Sequence, residues 1–242
     1  LVASELRAMD IDLAFAPCVD LDWGVSEIIG NRAFHRRPSI VGDLANAYCR
    51  GLREGGMASV AKHFPGHGAV VADSHEQLPV DRRSYGDLLD DMQPYEKLIG
   101  TRQLAGVMLA HIVYSELDQT PAGFSSYWIQ NQLRTQLGFD GAVFCDDLSM
   151  QATKKFGSMA KRARLALEAG CDMILICNDR PAAQAAVASL RDYSIPLSLV
   201  RLARLHGTGH VMRESLLASD EWQAATERLQ QVLGPPEFEL NA

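Results

Sequence analysis

The chain has 242 residues, 47% hydrophobic and 22% charged, which suffices for one large domain with a substantial core. A formal net charge of −7 with no Lys/Arg block argues against a nucleic-acid footprint or an anionic membrane surface, and leaves small neutral or anionic substrates. No apolar stretch approaches the roughly 18 residues that span a bilayer, and the N-terminal residues lack the basic start, apolar run and small-residue cleavage site of a secretion signal.

The five cysteines, Cys18, Cys49, Cys145, Cys171 and Cys177, lack paired spacing and read as reduced core residues of a cytosolic protein. The first residue is Leu1, and Ala3 to Met9 already has the pattern of a helix interior, so the chain is expected to begin inside a fold.

Ile11 to Asp20 reads as a buried strand running into the loop Leu21-Asp22-Trp23-Gly24. Asp20 and Asp22 are candidate ligands or catalytic carboxylates, weighed against the simpler use of short acids to cap a turn. The loop continues through Gly30-Asn31-Arg32-Ala33-Phe34-His35-Arg36, whose cations suit a polar substrate. Ile40 to Glu54 follows as a helix with Val41, Leu44, Ala45, Tyr48 and Leu52 on one face, closed by Gly55-Gly56.

The apolar run Met57 to Ala61 reads as a short buried strand. It feeds Lys62-His63-Phe64-Pro65-Gly66-His67-Gly68, continued to Asp73-Ser74-His75, which the Gly and Pro residues mark as a loop. Asp81 to Ile99 returns to helix, with Pro94 expected to break or restart it.

Ala105 to Val113 has the pattern of a strand buried on both faces, interrupted by His111, which is either a satisfied core residue or a pocket residue. Tyr127 to Leu137 is helical up to Gly138. Gly141 to Cys145 is a buried strand that ends in the adjacent acids Asp146 and Asp147. Buried carboxylates are costly unless paired, so strand-end acids are caps or functional groups, and neighbouring positions can divide the two roles.

Lys161 to Ala169 is helical, Cys171 to Cys177 is a strand, Pro181 opens a helix, and the tail from Leu197 is helical. Strand, loop and helix thus alternate about five times, which predicts α/β architecture with a parallel sheet. An eight-stranded barrel needs more strands than the pattern supplies, whereas an open doubly wound sheet does not.

In either fold Arg32, Lys62, His63, Asp73, His75 and Asp146 are expected to meet at one mouth, as strand-end residues of a parallel sheet or barrel do. Arg, Lys and His donors suit sugar hydroxyls or an amide carbonyl, and Asp146 suits an anionic nucleophile or electrostatic stabiliser. Asp73 and His75 are two apart, so the carboxylate can fix the tautomer of an imidazole whose ordinary pKa of about 6.5 suits general acid/base work. Competing uses are a zinc site of His63, His67 and His75, a serine nucleophile without a GxSxG elbow, and phosphate binding at Gly66-His67-Gly68. None has its usual spacing.

The segments Lys62 to Gly68, Asp73-Ser74-His75 and Phe144-Cys145-Asp146-Asp147-Leu148-Ser149-Met150 closely resemble the bacterial β-N-acetylhexosaminidases of glycoside hydrolase family 3, of the NagZ type. Gly30 to Phe34 and Cys171 to Leu175 are similar too, so the resemblance covers nearly the whole chain. It implies a TIM-like (β/α) barrel and a retaining double displacement through a covalent glycosyl-enzyme.

Carried onto this sequence, the resemblance makes Asp146 the nucleophile, as the acid directly after the apolar strand, with Asp147 structural. His75 becomes the acid/base, oriented by Asp73, and Arg32, Lys62 and His63 bind N-acetylglucosamine. The implied substrate is N-acetylglucosamine linked β-1,4 to 1,6-anhydro-N-acetylmuramic acid, with or without peptide, cleaved in the cytoplasm during peptidoglycan recycling. No metal, organic cofactor, nucleic acid or membrane partner is implied.

Family members carry further N-terminal residues, including barrel strands and sugar-holding groups. Residues 1–242 are therefore expected to form a single catalytic barrel domain without its N-terminal strands, one that retains the catalytic pair but binds sugar poorly and does not close alone. The alternatives are an inactive sugar-binding barrel and an N-acetylglucosaminide phosphorylase.

Overall fold

The computed structural model describes residues 1–71, 78–209 and 211–233. The elements follow in the order α1 (Val2–Arg7), β1 (Leu13–Ala14), α2 (Pro38–Glu54), β2 (Ala58–Phe64), β3 (Val80–Asp81), α3 (Tyr85–Gly100), β4 (Gly106–Leu109) and β5 (Val113–Tyr114). A wide helix, Tyr127–Gln136, precedes β6 (Ala142–Asp147), α4 (Gln151–Lys154), α5 (Met159–Ala169), β7 (Met173–Leu175), α6 (Arg180–Ser189) and α7 (Pro196–Ala203). The short α8 (Arg213–Leu217) and α9 (Asp220–Leu233) complete the described chain.

Five strands form one parallel sheet in the order β1-β2-β4-β6-β7, and a separate pair joins β3 to β5. Each sequential step crosses over through a helix, as parallel pairing requires, and all C-terminal strand ends lie on one edge. This is an incomplete TIM-like (β/α) barrel. Among the described residues β7 does not pair with β1.

The central strands are apolar because both faces are covered. Val60↔Gly106↔Ala142 and Lys62↔Met108↔Phe144 lie in register across β2, β4 and β6. On one face, Phe64, Val107, Leu109, Val143 and Cys145 pack with Leu88, Tyr95, Trp128, Ile129, Ala163 and Ala166 from the helices. Phe64 meets Tyr95 and Trp128 edge-on at ring-centre distances of 5.1 and 6.2 Å, and Trp128 meets Tyr114 at 4.9 Å. On the other face, Val60, Met108, Ala142 and Phe144 pack with Leu205 and, at the margin, with Leu202 of α7, Leu13 and Phe15.

Local signals set the helix ends. Pro38 occupies the first turn of α2, whose Val41, Ala45, Cys49 and Leu52 face inward. Ser84 and Asp87 form a reciprocal capping box on α3, Ser158 caps α5, and Asp179 caps α6.

Three expectations are corrected. Pro94 does not interrupt α3: it lies buried within the continuous helix, which packs along α2. Lys62, His63 and Phe64 belong to β2 and not to a loop, since the parallel pairing to β4 runs on to Phe64↔Leu109. The cysteines are all unpaired thiols, but only Cys49, Cys145 and Cys171 are core residues. Cys18 is half-buried and Cys177 exposed.

Candidate active site

The C-terminal ends of β2, β4 and β6 bring His63, His111 and Asp146 to one edge of the sheet, beside the segment Cys18 to Trp23 that follows β1. At its centre is Asp20, whose side chain is fully buried. Its carboxylate accepts from the backbone N–H of His67 at 2.7 Å and from that of His63 at 3.2 Å, from Nδ1 of His63 at 2.8 Å, and from the thiol of Cys18 at 3.2 Å. Burial pushes the Asp20 carboxyl up, but the nearby imidazoles of His63 and His67 and the bonds they donate prevail and hold it well below the usual carboxylate range.

An ionised carboxylate only accepts, so His63 carries its proton on Nδ1 and presents Nε2 to the site. That atom lies 3.8 Å from Oδ2 of Asp146, beyond hydrogen-bond length. Asp146 is itself mostly buried, with about a fifth of its side chain exposed. Burial raises its carboxyl. The neighbouring His63, His111 and Lys62, with the N–H of Asp147 at 2.7 Å, outweigh burial and lower it below its ordinary value. The result is a mostly buried but still accessible anion at a strand end, suited to attack on an electrophilic carbon.

Asp147 points elsewhere. It accepts from the backbone of Ser149 at 2.8 Å and of Cys177 at 2.9 Å, and from the Ser149 hydroxyl, which ties the end of β6 to the segment after β7. His111 is buried, and burial lowers its pKa, keeping the ring neutral. Its Nε2–H donates to the carbonyl of Asp146 at 3.0 Å, so the ring is a buried, hydrogen-bonded residue that backs the end of β6. Arg162 holds the next turn through the carbonyl of Leu148 and the Thr153 hydroxyl, the latter at 2.8 Å.

The segment after β2 is rigidly backed. The peptides Lys62–His63 and Phe64–Pro65 are cis. A Cβ on Gly68 would sit 1.9 Å from the carbonyl oxygen of Leu21, and one on Gly66 2.6 Å from Asp91, so neither position admits a side chain. Asp91 accepts from Trp23 Nε1 at 3.0 Å and pairs with Arg83 at 2.7 Å, while Arg83 also forks onto Asp81. Tyr114 donates to the carbonyl of Gly66 at 2.8 Å.

Of the residues expected at the mouth, Asp146, His63 and Lys62 are brought together, Lys62 acting on Asp146 through its field. Arg32 stands at the exposed rim, its guanidinium on the carbonyl of Ile28 at 2.7 and 3.1 Å and its charge felt at Cys18. Asp73 and His75 lie outside the described residues. The linking role of Asp20 exceeds the turn-capping use weighed for it, whereas Asp22 does cap its turn, through the N–H of Gly24. The sequence signal for Asp20 was an acid directly after buried Val19.

Residues 1–205 match the family model described as the glycosyl hydrolase family 3 N terminal domain. A β-hexosaminidase of Thioalkalivibrio sulfidiphilus is 49% identical over 241 residues, covering 100% of this chain and 69% of that protein. The structure of native NagZ from Neisseria gonorrhoeae superposes with a TM-score of 0.87 at 40% identity, over 97% of this chain and 68% of that one. The same protein in complex with N-trifluoroacetyl-D-glucosamine gives a TM-score of 0.84 at 41% identity, over 96% and 67%. The chain spans about two thirds of the length of these relatives, and by the extent of the match it belongs to glycosyl hydrolase family 3, a family of glycosidases.

Proposed function

We propose that this chain carries the nucleophile side of a retaining β-N-acetylglucosaminidase. The observation that carries the reading is Asp146, an anion at the end of β6 facing a histidine whose other nitrogen is tied to a buried carboxylate. In this reading Asp146 attacks the anomeric carbon as the glycosidic C–O bond breaks, and His75, oriented by Asp73, gives its proton to the leaving oxygen. Water then attacks the glycosyl-enzyme, His75 takes back a proton, and Asp146 is released. His63, Lys62 and Arg32 hold the sugar.

Support for N-acetylglucosamine comes from the motif after β2 and from the related NagZ crystallised with an N-acylated glucosamine. The finer reading is that the enzyme removes β-1,4-linked N-acetylglucosamine from 1,6-anhydro-N-acetylmuramic acid muropeptides in cytoplasmic peptidoglycan recycling. No helix among the described residues is long and apolar enough to cross a membrane.

The second reading is transfer of the sugar to phosphate, because a nucleophile with a fifth of its side chain exposed leaves the glycosyl-enzyme open to either attacker. Product analysis on an N-acetylglucosaminide with and without phosphate decides between them. Free N-acetylglucosamine in both cases supports hydrolysis, and a sugar 1-phosphate supports phosphorolysis. Loss of turnover is expected for Asp146→Ala, and turnover by that variant at the wild-type rate counts against both.

A further inference from the structure

We propose that a basic hollow at the N-terminal ends of β2 and β4, on the edge of the sheet opposite the candidate active site, binds the phosphate group of a small phosphomonoester. The hollow is a cavity of about 300 Å³. Its floor is the start of the two strands, Met57 to Ser59 and Leu104 to Ala105, and its rim carries Arg53, Arg102, Arg204 and His206. No acid is among its lining residues, although the whole chain has a formal net charge of −7.

The walls are tied in place. Thr208 N–H donates to the carbonyl of Gly56 at 2.8 Å, and a Cβ on Gly56, whose φ is +79°, would sit 2.0 Å from the carbonyl oxygen of Thr208. Ser59 Oγ donates to the carbonyl of Gln103 at 2.8 Å and Ala105 N–H to that of Ser59 at 3.1 Å, which fixes the Arg102 segment against β2.

Two of the cations lack a protein partner. Arg204 lies on Asp140 at 3.0 Å and His206 on Asp12 at 3.2 Å. Glu54, next to Arg53 in sequence, is turned to Arg50 at 3.7 Å. Among the described residues the side chains of Arg53 and Arg102 make no hydrogen bond or ion pair.

Arg53 is in the last turn of α2 and Arg102 just beyond α3, where a cation ordinarily serves exposed helix carbonyls. Those carbonyls are already occupied. Leu52 O and Arg53 O accept from the N–H groups of Met57 and Gly56, both at 2.9 Å, and Leu98 O and Ile99 O accept from those of Gln103 and Arg102 at 3.0 and 2.9 Å. Arg102 holds the left-handed position of its turn, with φ +53°, where glycine or asparagine is the unstrained choice. The turn gains nothing from this side chain, which leaves its guanidinium for a ligand.

Two uncompensated guanidiniums match the nearly two negative charges of a phosphomonoester at neutral pH, and each presents paired N–H donors to its oxygens. A single carboxylate would leave one of them unmatched. The site does not rest on the function proposed above. At about 3.3 Å per residue along β2, Ser59 and His63 are about 13 Å apart, so an anion in the hollow stays clear of Asp146.

The test is calorimetric titration of the chain with glucose 6-phosphate in chloride buffer, with Tm recorded for each protein without ligand. Wild type is expected to bind one equivalent, inorganic phosphate to displace it, and glucose to give no heat. Arg53→Gln and Arg102→Gly should each weaken binding at least about tenfold. Glycine suits φ +53°, so Arg102→Gly should melt at or above the wild-type temperature, which separates loss of the ligand from loss of the fold. Arg164→Gln, which removes an exposed guanidinium of α5 outside the hollow, should bind as wild type does.

No binding to wild type, undiminished binding to both hollow variants, an equal loss in Arg164→Gln, or weakened binding accompanied by a lower Tm in both hollow variants overturns the site. Binding that survives Arg53→Gln and Arg102→Gly but is lost on Lys62→Gln places the anion at the candidate active site and overturns it as well.

Discussion

Nδ1 of His63 lies 2.8 Å from Oδ2 of fully buried Asp20, and this contact joins the segment after β1 to the end of β2 at the point where the candidate site begins. The carboxylate does two jobs there. It fixes the face that His63 turns to Asp146, and it gathers the backbone N–H groups of His63 and His67. Asp20→Asn keeps the shape but offers one acceptor oxygen in place of two. It is expected to cost about 3–5 kcal/mol of stability, as for breaking a buried charged network, and to lower kcat/KM about 10–100-fold. Chemical denaturation and steady-state assays of the same preparation measure the two effects.

The same residue predicts the acid side of the stability profile. The folded-state pKa of Asp20 is below its ordinary value of 3.8, so the native state binds fewer protons there than the unfolded chain. Its contribution is therefore complete above pH 3.8 and drains away as the pH falls through the lower folded value. Wild type should lose more stability than Asp20→Asn between about pH 4 and pH 2. Parallel loss in the two proteins, followed by urea midpoints, would assign acid lability to other carboxylates.

His111 is expected to act by positioning. Its neutral ring donates to the backbone carbonyl of Asp146 at 3.0 Å and lies against Phe124 with ring centres 5.4 Å apart. His111→Ala leaves that carbonyl unsatisfied, a loss of about 1–3 kcal/mol. It should lower kcat about tenfold with KM little changed, since the displaced atom is the attacking group and not a sugar-binding one. His111→Gln, whose amide N–H can reach the same carbonyl, should recover part of kcat. An unchanged kcat in His111→Ala, or a change confined to KM, counts against the positioning role.

The legible parts of this fold were those in which information is local. The apolar runs at β2, β4 and β6 marked buried parallel strands, Pro181 marked the start of α6, and the acid after Cys145 marked a strand-end carboxylate. The less legible parts depend on partners far along the chain. Asp20 reads as a turn residue until His63 and His67, 43 and 47 positions on, are brought to it. His111 and Asp146 are 35 apart in sequence and become neighbours only through the parallel pairing of β4 with β6.

Local geometry misled where packing overrode propensity. Pro94 continues a helix held by α2, and the segment Tyr127–Gln136 is helical as expected but wound with wider hydrogen bonding, as in Leu137 N–H to Gln132 O at 3.0 Å. The run from Ile11 to Asp20 gives only the short strand Leu13–Ala14, after which Pro17 and the turn towards Asp20 replace regular pairing with a single bridge from Cys18 to Lys62.

The central claim is that Asp146 forms a covalent bond to the sugar. The most direct measurement is intact-protein and peptide mass spectrometry after incubation with an activated fluoro-N-acetylglucosaminide that slows breakdown of the glycosyl-enzyme. The account predicts one added glycosyl mass, located on Asp146 and absent in Asp146→Ala. An unchanged protein mass, or a label on Asp147, would contradict it.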